Sequence, residues 1–487
     1  MALTYVEDSP VLESRIAPRT ARVPLRYRTG PRTRVAVLAI AGMACSMMQT
    51  LVTPLFPILP QLLATSTTTV TWVITATLLA AAVCTPIAGR LGDMYGKKRV
   101  MLGILAVMLT GSIVAGFAPT IEVLIVGRAL QGVGLALISL GMSTLREILP
   151  RDRVPGGLAL MSSTLGIGGA LGLPLGGLAV EHLNWHSAFW LSGALAVMVA
   201  IAIALLIPAG ATHPARFDPI GAVGLALGTL GLLVALSKGT AWGWTSTATL
   251  TFAIGGVLIL AAWAWFEWHR DEPLIDLRTT VRRAAALTHL AAIAGGYVLY
   301  TPMVLMPILL QMQPHNGVGF GRTALTAALL AMPGGLMMMV TSPIGGRVTR
   351  RFGGRTSLII GSIVNGIVLV LMILNLGNLW AVVILGGLLG LGTGFTYAAL
   401  PTLTMDAVPE SETGAANGFN TLMRYIGTAL ASTMAMTILA AHTVPGMPNV
   451  MTIDGFAIAL GAAAVGAICI LIPAVLLPRR RGVPISR

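Results

Sequence analysis

The sequence predicts an all-α polytopic membrane protein with 14 transmembrane helices, and three observations carry that prediction. Of its residues 55% are hydrophobic and only 10% charged, whereas a soluble globular chain carries about 25% charged residues. The mean hydropathy is +0.85. Apolar runs of about 20 residues, the length that crosses a bilayer as a helix, recur along the whole chain between short charged or Pro/Gly breaks.

Taken in order, the runs fall at 35–57, 70–88, 100–118, 121–145, 157–180, 187–208, 219–237, 248–268, 286–311, 323–345, 357–375, 379–403, 415–440 and 455–477. They are called spans one to fourteen below. An even number puts both termini on one side, and the basic residues decide which side. With the N-terminus cytoplasmic, one face collects Arg15, Arg19, Arg22, Arg26, Arg28, Arg32 and Arg34 of the head, then Arg90, Lys97, Lys98 and Arg99 after span two. Arg146, Arg151 and Arg153 follow span four and Arg216 follows span six. The same face takes Arg270, Arg278, Arg282, Arg283, Arg347, Arg350, Arg351, Arg355, Arg479, Arg480, Arg481 and Arg487. The opposite face gets only Lys238 and Arg322. The net charge of +14 is therefore an orientation signal facing anionic lipid, and no nucleic-acid partner is implied. One cytoplasmic connection departs from the pattern: MDAVPESET at 405–413 has three acids and no base.

Other features narrow the class. Residues 1–34 are polar and Arg-rich, which does not read as a signal peptide. Cys45, Cys84 and Cys469 lie in apolar runs without metal-ligand spacing and read as small packing residues. His182 and His186 are four apart, but no third ligand is evident, so no metal is expected. GLLGLGTGF at 387–395 looks like a dinucleotide loop, yet it sits inside a span with no strand before it. No nucleophile–base cluster appears, so an enzyme is not expected, and neither is a cofactor.

An internal repeat is visible. GRLGDMYGKKR at 89 returns as GRVTRRFGGRT at 346, an offset of 257, and GIGGALG at 166 as YIGTALA at 425, an offset of 259. Two pairs at nearly one offset indicate duplicated halves, the hallmark of a transporter whose site lies between them. The organisation read from this is a basic tail 1–34, a six-helix half 35–208, an inserted pair 219–268, a second half 286–477 and a tail 478–487.

With these motifs the chain resembles the major facilitator superfamily, in its fourteen-helix drug:proton antiporter branch. The resemblance covers about residues 35–477. Gly89, Leu91, Asp93, Gly96, Lys97 and Lys98, with Arg90 between, match the family's G-x-L-x-D-x-x-G-[RK]-[RK] loop between spans two and three. It implies a cytoplasmic gate in which the glycines allow a tight turn and close approach. Asp93 would meet the positive N-terminal end of a helix from the other half, span thirteen. The second copy has Arg350 at the Asp93 position, implying a weaker or different contact there.

Arg128, Gln131 and Gly132 in LIVGRALQGVG resemble the R-x-x-Q-G pattern linked in the family to proton coupling. Arg128 lies about 10 Å inside its span, where a buried arginine costs about 2.5–3.5 kcal/mol or more, so it is expected to face the cavity. Gly168, Gly172, Gly176 and Gly177 fit the antiporter signature of span five, with Pro174 one place late. Generic glycine-mediated packing accounts for the same pattern. NWHSAFW at 184–190 resembles the family's entry to span six.

The main departure is in span one, where Met48 stands at the position of the branch's usual Asp. No carboxylate is then expected deep in the membrane, and Arg128 and Arg424 are the charges there. A cavity of that sign favours neutral or anionic amphipaths. Arginine does not deprotonate in proteins, so the proton carrier would be Glu122, Glu181, His182 or His289, or coupling differs. Abundant methionine, including Met43, Met47, Met48, Met303, Met306 and Met337–Met339, suits an adaptable pocket or plain packing.

The resemblance implies a monomeric proton-driven exporter of hydrophobic small molecules. An importer of a polar or anionic nutrient is the main alternative, and the sparse polar residues of the spans speak against it. A non-transporting sensor is the third reading; the short head and tail speak against that. Only three lysines among the basic residues, with abundant Ala and Gly, suggest a GC-rich bacterial genome and the inner membrane.

Overall fold

Backbone amides cannot go unpaired in lipid, so a chain of apolar runs must fold into helices that pair them internally. A computed structural model describes residues 30–55, 58–210, 212, 216–314, 319–444 and 447–478. Arg15, Arg19, Arg22, Arg26 and Arg28 of the head and Arg479, Arg480, Arg481 and Arg487 of the tail lie outside the described residues. Among those described, 14 helices are long and apolar enough to cross a membrane. Spans one to seven are Pro31–Leu55, Thr69–Tyr95, Lys97–Gly116, Ile121–Ile148, Val154–Ala179, Ser187–Leu206 and Pro219–Trp242. Spans eight to fourteen are Thr247–Trp268, Arg283–Gln311, Leu325–Phe352, Gly354–Leu374, Leu379–Asp406, Thr413–Ala441 and Ile453–Leu476. A short antiparallel pairing of Thr443–Val444 with Met447–Met451 joins the last two.

Chain reversals follow local chemistry. On the less charged face Ser66, Ser246, Thr323, Asn378 and Thr452 cap the helices that start there, each side chain accepting a backbone N–H. On the basic face two reversals need a single residue. Gly96 (φ 93°) separates Tyr95 from Lys97, and Gly353 (φ 88°) separates Phe352 from Gly354. Both lie where φ is positive and glycine is unstrained, at equivalent places in the repeat. The stretch at 89–99 is therefore not a loop, as its charge suggested. Arg90 and Asp93 ride on the last turns of span two, Arg90 half-buried at the helix end and Asp93 turned inward to partners of its own. Lys238 is likewise not in a loop. It is buried in span seven, its Nζ donating to Thr71 Oγ1 at 2.8 Å and lying over Trp72.

Each half has its own apolar core. The halves meet along two seams, span two against span thirteen and span five against span ten, with further contact between spans five and twelve. Spans seven and eight pair with each other, and span seven packs on both span two and span thirteen. Span eight is among the least buried.

Small residues set the closest approaches. On span five a Cβ at Gly168 would lie 2.7 Å from Met43 O and Met47 N, and Gly172 and Gly176 meet span one in the same way. Gly177 faces Leu325 of span ten. Span five stays helical through Pro174 to His182, and Thr50 Oγ1 donates to Gly168 O at 3.2 Å. The glycine-rich 387–395 stretch is helix, its Gly390 against Gly334 and its Gly392 against Asn365.

Neighbouring glycines test this packing. Gly168→Ala should lower the Tm of the detergent-purified protein, overpacking costing about 1–3 kcal/mol. Gly169→Ala, whose Cβ meets nothing within 4 Å, should leave it unchanged or raise it by the helix-propensity gain of about 1 kcal/mol.

Candidate functional site

The densest charged arrangement sits where span two meets span thirteen. The first N–H groups of any helix lack intrahelical partners and carry partial positive charge. Asp93, 1% exposed, takes up two of them. Its Oδ1 accepts from Gly414 N at 3.2 Å and its Oδ2 from Ala415 N at 3.0 Å. Lys97 Nζ, as deeply buried, lies 3.0 Å from Asp93 Oδ1 and also pairs with Glu147 of span four. Gly89 permits this approach, since a Cβ there would overlap Gly414. Gly418 one turn on abuts Thr85 and Pro86. Arg90 is half-buried beside the contact, and so is Lys98, its Nζ donating to Ala204 O at 2.8 Å.

The second seam keeps the steric half of this arrangement and drops the electrostatic half. Gly346 abuts Pro155, Gly156 and Ala159 at the start of span five, but Arg350 at the Asp93-equivalent position is exposed. A guanidinium would repel the positive end of a helix, so it turns to solvent.

In the N-terminal half Arg128 is 1% exposed. Nη1 donates to Gln131 Oε1 at 2.9 Å and to Met48 O at 3.5 Å, and Nε to Val73 O at 3.4 Å. Gln131 Nε2 passes the chain on to Ser112 Oγ at 2.8 Å. The arginine is thus enclosed among spans one, two and four and held by neutral carbonyls, with no carboxylate among its hydrogen-bond partners. Gly132 lets span two approach, and the helix tightens to 3₁₀ geometry at Val133–Leu135 just after it.

In the other half Arg424 is 7% exposed. Its Nη2 donates to Thr421 Oγ1 at 2.9 Å, its guanidinium lies over Tyr397, and its Nη1 has no hydrogen-bond partner. His289, also buried, contacts Asn420 at 3.3 Å. Two neutral bonds tie the halves between these arginines: Asn417 Nδ2 to Ser139 Oγ at 3.0 Å, and Ser162 Oγ to Tyr397 O at 2.7 Å.

The remaining expected proton carriers do not gather here. Glu122 is exposed in the first turn of span four, because an acid there favours the helix N-terminus and water over the interior. It is not a cavity residue. His182 is exposed as well, and the Glu181 side chain lies outside the described residues. Sequence reasoning missed Glu147, whose pairing with Lys97 spans 50 positions, and it missed two buried carboxylates, Asp218 and Glu267. The available signals were an acid after Phe217 that caps span seven and an acid inside the apolar run of span eight.

Beside the Asp93 contact lies a cavity of about 130 Å³ lined by Arg90, Glu272, Asp276, Glu412 and Ala415 among others. Glu412 holds its proton to higher pH than an ordinary glutamate. Partial burial is the main cause, Asp276 and Asp93 add to it, and Arg90 opposes it.

The family model described as Major Facilitator Superfamily matches residues 38–432 and, in a second alignment, 288–486. Among curated relatives, the uncharacterized MFS-type transporter YhcA of Bacillus subtilis is 30% identical over 67% of this chain and 61% of its own length. The multidrug resistance protein Stp of Mycobacterium tuberculosis is 27% identical over 76% and 68%. The putative multidrug resistance protein MdtD of Escherichia coli is 27% identical over 84% and 86%. The chain spans less than two thirds of the length of the first of these. Among solved structures, the human organic anion transporter MFSD10 superposes with a TM-score of 0.66 at 15% identity, covering 93% of this chain and all of that one.

Two measurements probe the seam. Asp93→Asn should speed thiol labelling of an Ala415→Cys reporter, in a background with Cys45, Cys84 and Cys469 replaced by Ser. Loss of bonds to a charged acceptor, about 1.5–3 kcal/mol, corresponds to about tenfold or more in rate. Ionised Glu412 is disfavoured in the folded protein, so stability falls as pH rises from the ordinary glutamate range, about 4.3, through its raised value. Glu412→Gln should therefore match the wild-type Tm at acid pH and exceed it at neutral pH.

Proposed function

This chain belongs to the major facilitator superfamily, and on that premise we propose that it exports hydrophobic or amphipathic small molecules, such as drugs, antibiotics or metabolites, by proton antiport. The membrane is the bacterial cytoplasmic membrane, the working unit is a monomer, and the basic face with both termini is cytoplasmic. The basic side chains on that face support the orientation, and the multidrug resistance names of Stp and MdtD support the export direction.

The observation that carries the reading is the seam at Asp93. One half clamps a helix N-terminus of the other with a buried carboxylate. Such a contact is strong when made and costs little to rehydrate at a membrane face, which suits a gate that opens once per cycle. In this state the cytoplasmic side is shut at both seams, Gly89 on Gly414 and Gly346 on Pro155. Release of the first would open the cavity inward and let substrate enter from the cytoplasm.

Substrate preference follows from the interior charges. Arg128 is neutralised by carbonyl dipoles, while Arg424 keeps an N–H group without an acceptor. Neutral or anionic amphipaths with an acceptor atom suit such an interior. Cations do not, because nothing there balances their charge.

Efflux of a fluorescent neutral amphipath from energised cells should be abolished by a protonophore and lost in Asp93→Asn and Arg128→Ala. Efflux in the wild type that ignores the protonophore or both substitutions would rule the mechanism out. Met48→Asp, which sets an acid beside Arg128, should add efflux of a cationic dye that the wild type does not move.

A further inference from the structure

Proton antiport needs a group that ionises, and neither interior arginine does so. A second buried site has the right chemistry, at the cytoplasmic end of the inserted helix pair. Asp218 caps span seven, its Oδ1 accepting from Gly221 N at 2.9 Å, and is 3% exposed. Glu267, on the last turn of span eight, is 1% exposed, and its Oε1 accepts from Trp263 Nε1 at 3.1 Å. Both carboxylates flank Gly221. A Cβ on that glycine would overlap Glu267 Oε1 and lie 2.9 Å from Asp218 Oδ2. The two oxygens are therefore within about 5 Å of each other, where like charges disfavour double ionisation.

Their hydrogen bonding is incomplete in a telling way. The backbone N–H groups of Ile275 and Leu274 also serve the Glu267 carboxyl, yet Asp218 Oδ2 and Glu267 Oε2 each remain without a hydrogen-bond partner. The cation at the rim is Arg270, 3.5 Å from Asp218 Oδ2 but half exposed and stacked on Phe266. Arg270 is the cation within ion-pair distance of the pair, while the Arg278 guanidinium is engaged with Trp268 O at 2.9 Å; the two carboxylates keep surplus negative charge, and a single proton removes it. That proton would also supply the missing donor. Buried polar atoms in native proteins are rarely left unpaired, so an unpaired acceptor on each of two adjacent acids points to a proton as the absent partner.

Surrounding charges leave this balance in place. On the elements packed around the pair they are Arg90 and Asp93 of span two, Arg424 of span thirteen, Lys238 at the far end of span seven, and Asp276 and Arg278 of the short helix Leu277–Thr280. Asp93 is engaged with span thirteen and Lys97, Lys238 with Thr71, and Asp276 with Arg278 N. Arg90 and Asp276 line the neighbouring cavity.

Position links the pair to the gate. Span seven bridges the seam: Lys238 and Ser237 bond span two at Thr71 and Thr75, while Leu236 and Thr240 bond span thirteen at Thr433 and Thr437. Leu274 and Ile275 form one apolar cluster with Leu422 of span thirteen, and both also line the 130 Å³ cavity. Opening of the seam must shift this cluster and with it the access of water to the acids.

We infer that Asp218 and Glu267 form a proton-binding carboxyl pair, which takes up one proton when closed over by the seam and releases it to the cytoplasmic cavity when the seam opens. The inference rests on the antiport reading for its role in transport, whereas proton binding itself does not.

Two readouts separate those parts. In the infrared spectrum of the purified Glu412→Gln protein, which removes another carboxyl that holds its proton to raised pH, the carbonyl stretch of a protonated carboxyl should titrate above the ordinary carboxylate range. Adding either Glu267→Gln or Asp218→Asn should remove it. Asn retains the helix cap and Gln retains an acceptor for Trp263, so both variants should fold. In proteoliposomes, a pH gradient should drive uphill movement of the fluorescent amphipath by the wild type. Glu267→Gln should cut that to the level without a gradient while leaving downhill equilibration intact. No titrating band in the Glu412→Gln protein, or a band that survives both substitutions, overturns the pair as a proton site. A band lost in both variants with gradient-driven transport unchanged overturns its coupling role. Absence of transport by the wild type refutes the antiport reading and the coupling role with it, and the infrared result still decides proton binding.

Discussion

A carboxylate buried in a membrane protein must be met by donors or it unfolds its surroundings, and Asp93 is met from both halves of the molecule. Two N–H groups come from the start of span thirteen and an ammonium from the start of span three. These partners constrain much else nearby. Gly89 has no side chain because the two backbones touch there. Gly96 must reverse the chain in one residue so that Lys97 returns beside Asp93. Glu147 balances the second charge from span four.

The same economy explains why the two seams differ. Both have a glycine at the closest approach and a glycine at the reversal, so their steric frames agree. Electrostatically they diverge at one position, Asp93 against Arg350. A carboxylate binds a helix N-terminus and a guanidinium is repelled by it. One seam therefore carries a defined charged bond, and the other is held by close packing alone.

The interior follows a different rule. Most polar contacts there are neutral: hydroxyls bonded back to carbonyls of their own helix, and a smaller set, such as Ser162 with Tyr397 and Asn417 with Ser139, that join helices at about 0.6–2 kcal/mol each in a membrane. Against that background the exceptions carry information: Arg424 with an unused N–H, and Asp218 with Glu267 sharing too few donors. In the export reading proposed above, each unpaired group is where a substrate or a proton would complete the structure. On the proposed proton-binding role, the inserted pair, otherwise exposed along span eight, would take part in the cycle.

Hydropathy in the sequence alone determined the number of spans, because that depends on composition within a local window. Motif spacing also pointed to Asp93 and the helix it would meet. What the sequence could not decide is which polar groups share a site. Glu147, Asp218 and Glu267 are ordinary acids at helix ends until folding brings Lys97 to one and Gly221 between the other two. Glu122, which looks as well placed in the chain, turns outward. Tertiary structure decides this because the energy of a buried charge is set by the donors and charges within a few ångströms, and those arrive from segments up to hundreds of residues away.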